Sequence, residues 1–395
     1  MSVTTERLWN RSFILCVLNN LFVFIYYFAM LAVLPIYIVK DLAGSVEEAG
    51  LALTLFLASS IAVRPFSGMI IQKMGKRLTM RGSSTFFAVF AFAYLFIDNM
   101  WSLLLIRFLH GIWFSVLTTV AVPVANDFIP EHRKGEGMGY YVMSTNLGVV
   151  FGPLIALTMI QFYSFQILFG ALAVLISLGL IFSWLLNIPA NQIPQQNKMN
   201  KKGFKLDDFL EPKVFAVSGV ALLTAFAYSS ITSFITVYSE SKQLLAYTSV
   251  FFILFAASML IVRPWVGKIY DRQGPSAVIV PSFIFFAIGL VVVTLVNNQW
   301  MLWLSAIFIG IGYGSVFPCL QTLTIQTVDK QRMGHAISTF FICFDIGLAV
   351  GSVVMGLVIA QWSFEFMYLC CAVLVILTLL FYQKYVSKKM VEKID

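Results

Sequence analysis

The amino-acid sequence predicts an all-α membrane protein with twelve transmembrane helices, arranged as two parallel repeats of six. Of its 395 residues, 60% are apolar and only 11% are charged, whereas roughly 25% of residues are charged in soluble domains. The apolar residues form runs of about 20, the length that a helix needs to cross about 30 Å of hydrocarbon. A set of matched residues also recurs at one fixed offset, which indicates two homologous halves.

The predicted spans follow one another with short polar turns between them. The first run comes after Arg7 and Arg11 and resembles a signal peptide in position. It is about 26 residues long and lacks a clear cleavage site, so we interpret it as an uncleaved first helix. The twelve predicted spans are 13–38, 49–71, 82–97, 101–122, 138–160, 165–186, 214–238, 248–270, 277–296, 301–322, 336–360 and 364–383.

The basic residues predict the orientation of these spans. Among the 26 Lys and Arg residues, only Lys40 and Lys242 fall in predicted outer loops, and most of the others fall in predicted cytoplasmic segments. This asymmetry is the positive-inside rule, and it places both termini in the cytoplasm. The formal net charge of +8 therefore reflects topology, and we expect no nucleic-acid partner.

The two halves correspond at an offset of 199 residues. The longest copy is RPFSGMIIQKMGKR, residues 64–77, which aligns with residues 263–276. Residues 187–213 are rich in Gln, Asn and Lys and divide six spans from six. We therefore predict an N-terminal six-helix bundle over 1–186, a cytoplasmic linker over 187–213 and a C-terminal six-helix bundle over 214–395. The matched pairs include Arg64 and Arg263, Gly68 and Gly267, Gly75 and Gly274, Gly111 and Gly310, and Gly148 and Gly347.

The second copy, with Gly267, Asp271, Arg272 and Gly274, resembles the loop signature Gly-x-x-x-Asp-Arg/Lys-x-Gly-Arg/Lys of the major facilitator superfamily. Pro275 stands in place of the family's usual basic residue. The first copy has Gln72 where the family has Asp, and it keeps Gly68, Lys73, Gly75, Lys76 and Arg77. The resemblance covers the whole chain. It implies two six-helix bundles with a substrate site near the midplane between them.

The resemblance also implies that the signature acts as a latch on the cytoplasmic side. A glycine permits close helix approach, and a carboxylate is favourable at the positive N-terminal end of a helix, here the fifth or the eleventh. Because Gln72 carries no charge, we predict a weaker latch in the first copy. The basic residues could instead serve as topology determinants alone. The predicted latch residues are Gly68, Gln72, Lys73, Gly75, Arg77, Asp127, Arg133, Gly267, Asp271, Arg272 and Gly274.

The fourth span contains Arg107-Phe108-Leu109-His110-Gly111, which is similar to the family motif Arg-x-x-Gln-Gly. An arginine at this depth is costly unless it faces a partner or a water-filled cavity. The resemblance implies a role in proton coupling for Arg107. His110 could also carry protons, since its unperturbed pKa lies near 6.5. The alternative for His110 is a structural, hydrogen-bonded histidine.

Among the 18 acidic residues, Asp345 alone falls near the middle of a predicted span. A carboxyl group in a cavity can exchange its proton as access alternates between the two sides of the membrane. We therefore predict Asp345 as the leading proton carrier. The alternative is a fixed hydrogen bond or ion pair between helices. Arg64 and Arg263, each before a proline, are predicted to be structural and not part of a substrate site.

The fifth span carries a glycine pattern. Gly139, Gly148, Gly152 and Pro153 reproduce the spacing of the superfamily's antiporter signature, although Ala156-Leu157 replaces its closing glycine pair. Pro153 removes a helix hydrogen bond and permits a kink. The alternative is small-residue packing, because the second half repeats the glycine spacing without the proline. The full pattern favours an exporter over an importer.

The resemblance implies that spans 1, 4, 7 and 10 line the central cavity. Tyrosine and asparagine side chains contact aromatic or amphiphilic ligands while supplying few fixed charges, which suits lipophilic compounds. Any of these side chains could instead pack between helices. The predicted substrate-binding residues are Asn19, Asn20, Tyr26, Tyr27, Tyr228, Tyr313 and Gln321, with Asn146 on the fifth span.

No ATP-binding motif, activated nucleophile or metal-ligand pattern occurs, so we expect no enzyme, cofactor or metal. We predict a proton-coupled exporter of small lipophilic or amphiphilic compounds in the bacterial plasma membrane. Its expected partners are the substrate, protons and membrane lipid, and it is expected to function as a monomer. The alternatives are a dedicated exporter or flippase of one endogenous metabolite or lipid, and a proton-independent facilitator.

Overall fold

The structure is a computed structural model that describes residues 7–188 and 209–387, apart from the side chains of residues 46 and 47. Residues 189–208 of the predicted linker lie outside the described residues. Within the described ranges all regular structure is helical, and eleven helices are long and apolar enough to cross a membrane. The predicted fold class is confirmed. The helices are α1 (Arg11–Lys40), α2 (Val46–Ala93), α3 (Met100–Asp127), α4 (Lys134–Phe162), α5 (Phe165–Leu185), α6 (Phe215–Ser241), α7 (Thr248–Gln273), α8 (Ser276–Thr294), α9 (Gln299–Gln326), α10 (Met333–Gln361) and α11 (Phe364–Tyr382).

Helix α2 contains the second and third predicted spans. It has 48 residues, which at 1.5 Å per residue correspond to about 72 Å, more than twice the hydrocarbon thickness of a bilayer. Its backbone leaves helical geometry at Gly75, where φ is 77° and ψ is 157°, a conformation open to glycine. Gly274 ends α7 with φ of 85°. The same glycine turn therefore occurs in both halves, and twelve predicted spans correspond to eleven helices.

The internal repeat extends to the helix ends. Helices α3 and α9 each contain 28 residues, and both their first and their last residues lie 199 positions apart. Asn99 and Asn298 cap these helices, each accepting a hydrogen bond from the backbone N–H three residues later. Such caps satisfy a donor that the first helical turn leaves free. The repeat therefore includes the capping chemistry as well as the helix lengths.

The helices of each half approach closely at equivalent glycines. A Cβ atom added to Gly111 of α3 would overlap the carbonyl oxygen of Phe56 on α2. A Cβ atom added to Gly310 of α9 would lie 2.5 Å from the carbonyl oxygen of Phe255 on α7. Both pairs obey the offset of 199, so each half uses a glycine to bring two backbones together.

The chain divides into two compact units. Unit 1 comprises Met1–Pro130, Tyr140–Leu210 and Lys330–Ser338, and unit 2 comprises Glu131–Gly139, Glu211–Asp329 and Thr339–Asp395. The beginning of α4 thus belongs to unit 2, and the beginning of α10 belongs to unit 1. These two segments contact the two copies of the signature.

Candidate functional site

In unit 2, the second copy of the signature contacts the first turn of α4. The carboxylate of Asp271 accepts hydrogen bonds from the backbone N–H of Gly135 at 2.6 Å and from that of Glu136 at 2.9 Å. Both donors belong to a helix N-terminus, where backbone N–H groups lack intrahelical partners. A Cβ atom on Gly267 would overlap the Cα atom of Glu136. Glycine and aspartate together allow α7 to contact the start of α4 directly.

Glu136 also forms an ion pair within this region. Its Oε2 atom lies 2.7 Å from both Nε and Nη2 of Arg133, and its side chain is 8% exposed. Arg133, predicted for the latch, therefore contacts a glutamate in its own segment. Arg272, the basic residue of the signature, is exposed.

In unit 1, the first copy contacts the start of α10 at the equivalent positions. A Cβ atom on Gly68 would lie 2.8 Å from the Cα atom of His335, the counterpart of the Gly267 contact. Gln72 and Lys73 are exposed, and Gln72 forms no hydrogen bond with any described residue. The hydroxyl of Ser338 instead donates to the backbone carbonyl of Arg64. The charged bond of unit 2 is thus replaced by a neutral one at a different position.

An ion pair in unit 1 joins the kink of α2 to the last residue of α3. Lys76 Nζ lies 2.6 Å from Asp127 Oδ2, with side-chain exposures of 6% and 20%. The same ammonium group donates to the carbonyl of Pro123 at 3.4 Å. Arg77 donates from Nε to the carbonyl of Ile188 at 2.8 Å. Asp127 was among the predicted latch residues, whereas Lys76 was not.

The glycines of α4 face α1 and α7. Cβ atoms on Gly148 and Gly152 would lie 2.8 Å from the carbonyl carbon of Phe24 and 2.7 Å from the carbonyl oxygen of Ile25, both on α1. A Cβ atom on Gly139 would lie 3.0 Å from Cδ of Arg263 on α7. The structure therefore gives all three glycines a packing role, and Pro153 lies inside the same helix.

Arg107 lies buried inside unit 1, with 2% of its surface exposed. Its Nε atom donates to the carbonyl of Ala52 at 3.1 Å, and the guanidinium carbon lies 4.2 Å from the ring centroid of Phe56. Among the described residues, no carboxylate forms an ion pair with Arg107. A backbone carbonyl and an aromatic face therefore stabilise the charge.

His110 is fully buried one helical turn away. Its Nδ1 atom lies 3.5 Å from the hydroxyl of Tyr94, and its Nε2 atom has no hydrogen-bond partner among the described residues. The rings of Phe87 and Tyr26 have centroids 4.2 and 5.4 Å from the imidazole centroid. This aromatic enclosure suits the structural alternative, and a proton role for His110 stays a prediction.

Asp345 is half-buried near the middle of α10. Its counterpart at the offset of 199 is Asn146, which is half-buried on α4. Phe344, the neighbour of Asp345, packs on Phe317 with ring centroids 4.8 Å apart. The two halves thus differ at this position by a carboxylate and an isosteric amide.

Two of the predicted substrate residues on α1 hold helices together. Asn19 donates to the carbonyl of Gly179 on α5 at 2.6 Å. The amide nitrogen of Asn20 contacts Ser144 and Thr145 at 2.8 and 2.9 Å, and its oxygen accepts from the hydroxyl of Tyr141. Buried amides with such partners lock helix register. A substrate role for them remains a prediction.

The other predicted substrate residues lie among aromatic rings. Tyr27 stacks on Phe114 with centroids 4.9 Å apart. In unit 2, Tyr228 and Tyr313 stack face to face at 3.6 Å, with 9° between their ring planes. Gln321 is 2% exposed, and its Oε1 atom has no hydrogen-bond partner among the described residues. Tyr228 and Tyr313 were predicted as separate substrate-binding residues, and the stacking of their rings was not predicted.

The structure has the features of a membrane transporter built from two homologous halves. These are the repeated helices, the glycine contacts and the buried arginine. The family model described as Major Facilitator Superfamily matches residues 16–351 and 254–393. The chain belongs to this superfamily, and the resemblance seen in the sequence is confirmed. It is a multi-pass membrane transporter of small molecules.

Similar proteins extend over most of the chain. The Multidrug resistance protein MdtG of Enterobacter lignolyticus is 24% identical over 327 residues, covering 81% of this chain and 78% of that protein. The Staphylopine export protein of Staphylococcus aureus is 23% identical over 380 residues, covering 90% and 92%. A crystal structure of the transporter FucP in the outward conformation has a TM-score of 0.78 at 15% identity, covering 95% and 99%. The structural likeness shows the fold.

Proposed function

We propose that the protein is a proton-coupled exporter of small lipophilic or amphiphilic compounds in the bacterial plasma membrane. The observation that carries the proposal is the half-buried Asp345 near the middle of α10, because an acid at this depth is costly without a function. The names of the related multidrug resistance and staphylopine export proteins support the direction of transport, as does the glycine pattern of α4.

Proton exchange at Asp345 is the proposed coupling step. A proton that enters from outside would neutralise the carboxylate and weaken its interaction with neighbouring groups and with substrate. Substrate would then leave, and the two halves would rock back to open the cytoplasmic side. Arg107 is proposed to support this step as a fixed charge. His110 is the second candidate carrier.

The contact between Asp271 and the start of α4 is the proposed cytoplasmic latch. It must break whenever α7 and α4 separate, so its strength sets how often the cytoplasmic side opens. The first copy, with exposed Gln72, offers no such charge. We therefore propose an asymmetric latch, with residues 1–186 and 214–395 as the moving bundles and 187–213 as their linker. Both termini are proposed to be cytoplasmic and the monomer to be the functional unit, surrounded by membrane lipid.

Two alternatives make different predictions. A dedicated exporter or flippase of one endogenous metabolite or lipid would show a narrow substrate profile. A proton-independent facilitator would show flux that does not respond to a pH gradient. Proton coupling is favoured because Asp345 is present where the first half has Asn146.

The proposal is tested by substrate-triggered proton movement in vesicles with an imposed pH gradient. Native protein is compared with Asp345→Asn, which makes the position identical to its counterpart in the first half. The matched control is Asp98→Asn, the same change at an exposed residue between α2 and α3, outside the proposed site. Cationic, neutral and anionic lipophilic compounds are tried in turn. We expect proton release from native protein and from Asp98→Asn, and none from folded Asp345→Asn. Equal release from all three would show that Asp345 is not the carrier, and no release with any compound would rule out antiport.

A further inference from the structure

Arg263 lies inside α7, eight residues before Asp271, and is 3% exposed. Its Nε and Nη2 atoms are buried and have no hydrogen-bond partner among the described residues. Within the same ranges, no carboxylate forms an ion pair with it. These two nitrogens form one edge of the planar guanidinium group, and that edge matches the two oxygens of a carboxylate. An intact two-pronged donor is therefore buried without an acceptor.

The groups around Arg263 do not neutralise it. Gly139 of α4 packs on its Cδ atom, and Cys319 of α9 lies close enough to interact with it electrostatically. The two carboxylates nearest along these elements are occupied, since Glu136 pairs with Arg133 and Asp271 binds the N–H groups of α4. A buried cation without a paired anion is unfavourable. An anionic group that reaches Arg263 would therefore form a favourable contact with it.

Arg64, the counterpart of Arg263, has different neighbours. Ser338 stands where the other half has Gly139, and its hydroxyl binds the carbonyl of Arg64. Val120 stands where the other half has Cys319. The pair was predicted to share one structural role, but only the Arg263 position has a glycine covering the arginine. Arg64 therefore provides a matched control.

Gly139, which packs over Arg263, belongs to the same contact between α4 and α7 as the proposed latch. Gly139 lies one turn beyond Gly135 and Glu136, whose N–H groups bind Asp271. Separation of the start of α4 from α7 would remove Gly139 and expose the guanidinium edge to the cytoplasmic side. The arginine would then be reachable from the side on which an exported compound arrives.

We propose that Arg263 binds the carboxylate of amphiphilic substrates when the start of α4 separates from α7. This inference rests on the proposed function, because it assigns a substrate class to the same transporter. It adds a specific anionic group to compounds otherwise defined only by lipophilicity, and it gives the second copy of the signature a role in substrate entry.

The test measures equilibrium binding of dansyl-undecanoic acid and of its methyl ester to the full chain in nanodiscs of neutral lipid. A charge-assisted, two-pronged hydrogen bond predicts at least about a tenfold preference of native protein for the acid. Arg263→Gln should lose that preference, and Arg64→Gln should keep it. Asp271→Asn should tighten binding of the acid, because apparent affinity rises with the fraction of open protein. Equal binding of acid and ester by native protein, or a preserved preference in Arg263→Gln, would overturn the proposal.

A second measurement does not depend on the folding of an Arg263 variant. In a chain whose other cysteines are replaced by serine, Cys319 is labelled with an anionic or a cationic methanethiosulfonate reagent from the cytoplasmic side. Labelling should be faster with the anionic reagent and should rise in Asp271→Asn; faster labelling by the cationic reagent would count against the proposal. Transport of the ester under a pH gradient is followed in parallel. Transport of the ester with no preference for the acid would contradict this inference alone. No transport of either compound would contradict the proposed function.

Discussion

Asp271 accepts a hydrogen bond of 2.6 Å from the backbone N–H of Gly135, at the first turn of α4. The second carboxylate oxygen accepts from Glu136, so one side chain satisfies two donors that the helix cannot satisfy itself. The negative charge also lies at the positive end of the helix. The bond therefore combines hydrogen bonding with charge, and each contribution can be removed separately.

Replacing Asp271 with Asn should loosen the start of α4. The amide keeps one acceptor oxygen, loses the charge and leaves one N–H without its partner, at a cost of about 1 to 3 kcal/mol. Hydrogen exchange at residues 135 and 136 should therefore rise by about fivefold to a hundredfold. Gln72→Asn is the control, since Gln72 is exposed and forms no hydrogen bond with the described residues. Unchanged exchange in Asp271→Asn would show that the bond contributes nothing.

The opposite substitution should create a second charged contact. Gln72→Asp places a carboxylate at the position equivalent to Asp271, near the first turn of α10. We expect slower hydrogen exchange at Gly334 and His335, by a factor of a few, because charge at a helix N-terminus contributes about 0.3 to 1 kcal/mol. Gln72→Glu tests whether the shorter side chain is required. Equal exchange in native protein and Gln72→Asp would mean that geometry, and not charge, distinguishes the two copies.

The pair of Lys76 and Asp127 should show measurable coupling. The ammonium group is almost fully buried, so Asp127→Asn leaves a cation without its anion and should destabilise the protein by about 1 to 3 kcal/mol. Lys76→Met should cost less, because the more exposed Asp127 can be hydrated. The double variant should recover part of the loss, as measured by thermal unfolding in detergent through a double-mutant cycle. Strict additivity of the two changes would rule out a stabilising pair.

Gly267→Ala should separate α7 from α4. The added methyl group would overlap the Cα atom of Glu136, and overpacking of this kind costs about 1 to 3 kcal/mol. We expect a lower melting temperature and faster exchange at residues 135 and 136. Gly82→Ala is the control, because a Cβ atom there meets nothing within 4 Å and alanine favours a helix. Equal loss in both variants would point to a general sensitivity of helix glycines.

The contacts that depend on one local motif could be predicted from the sequence. Glycine spacing predicted close helix approach at Gly68 and Gly267, and the acid of the second copy predicted a helix N-terminus as its partner. The halves repeat at one offset, so a contact in one copy predicts a contact between the equivalent positions of the other. Span positions followed from hydropathy alone, because a helix that crosses hydrocarbon must be long and apolar.

Contacts that depend on several distant segments could not be predicted. Lys76 and Lys73 both satisfy the positive-inside rule, so nothing local distinguishes the buried, paired lysine from the exposed one. The enclosure of His110 requires rings from α1 and α2, and its sequence neighbours do not report them. Asn19 and Asn20 were placed on the cavity side by analogy, whereas their partners follow from the rotation of α1.

The equal lengths and matched caps of α3 and α9 have a consequence for the gene. A recombination between the codons of Asn99 and Asn298 would remove residues 99–297 and leave Asn298 as the cap of α9. The 199 residues removed contain predicted spans four to nine, so the product would keep six spans, three from each half. A single deletion in the gene would therefore join the first part of one half to the last part of the other, at a junction that leaves α9 and its cap intact.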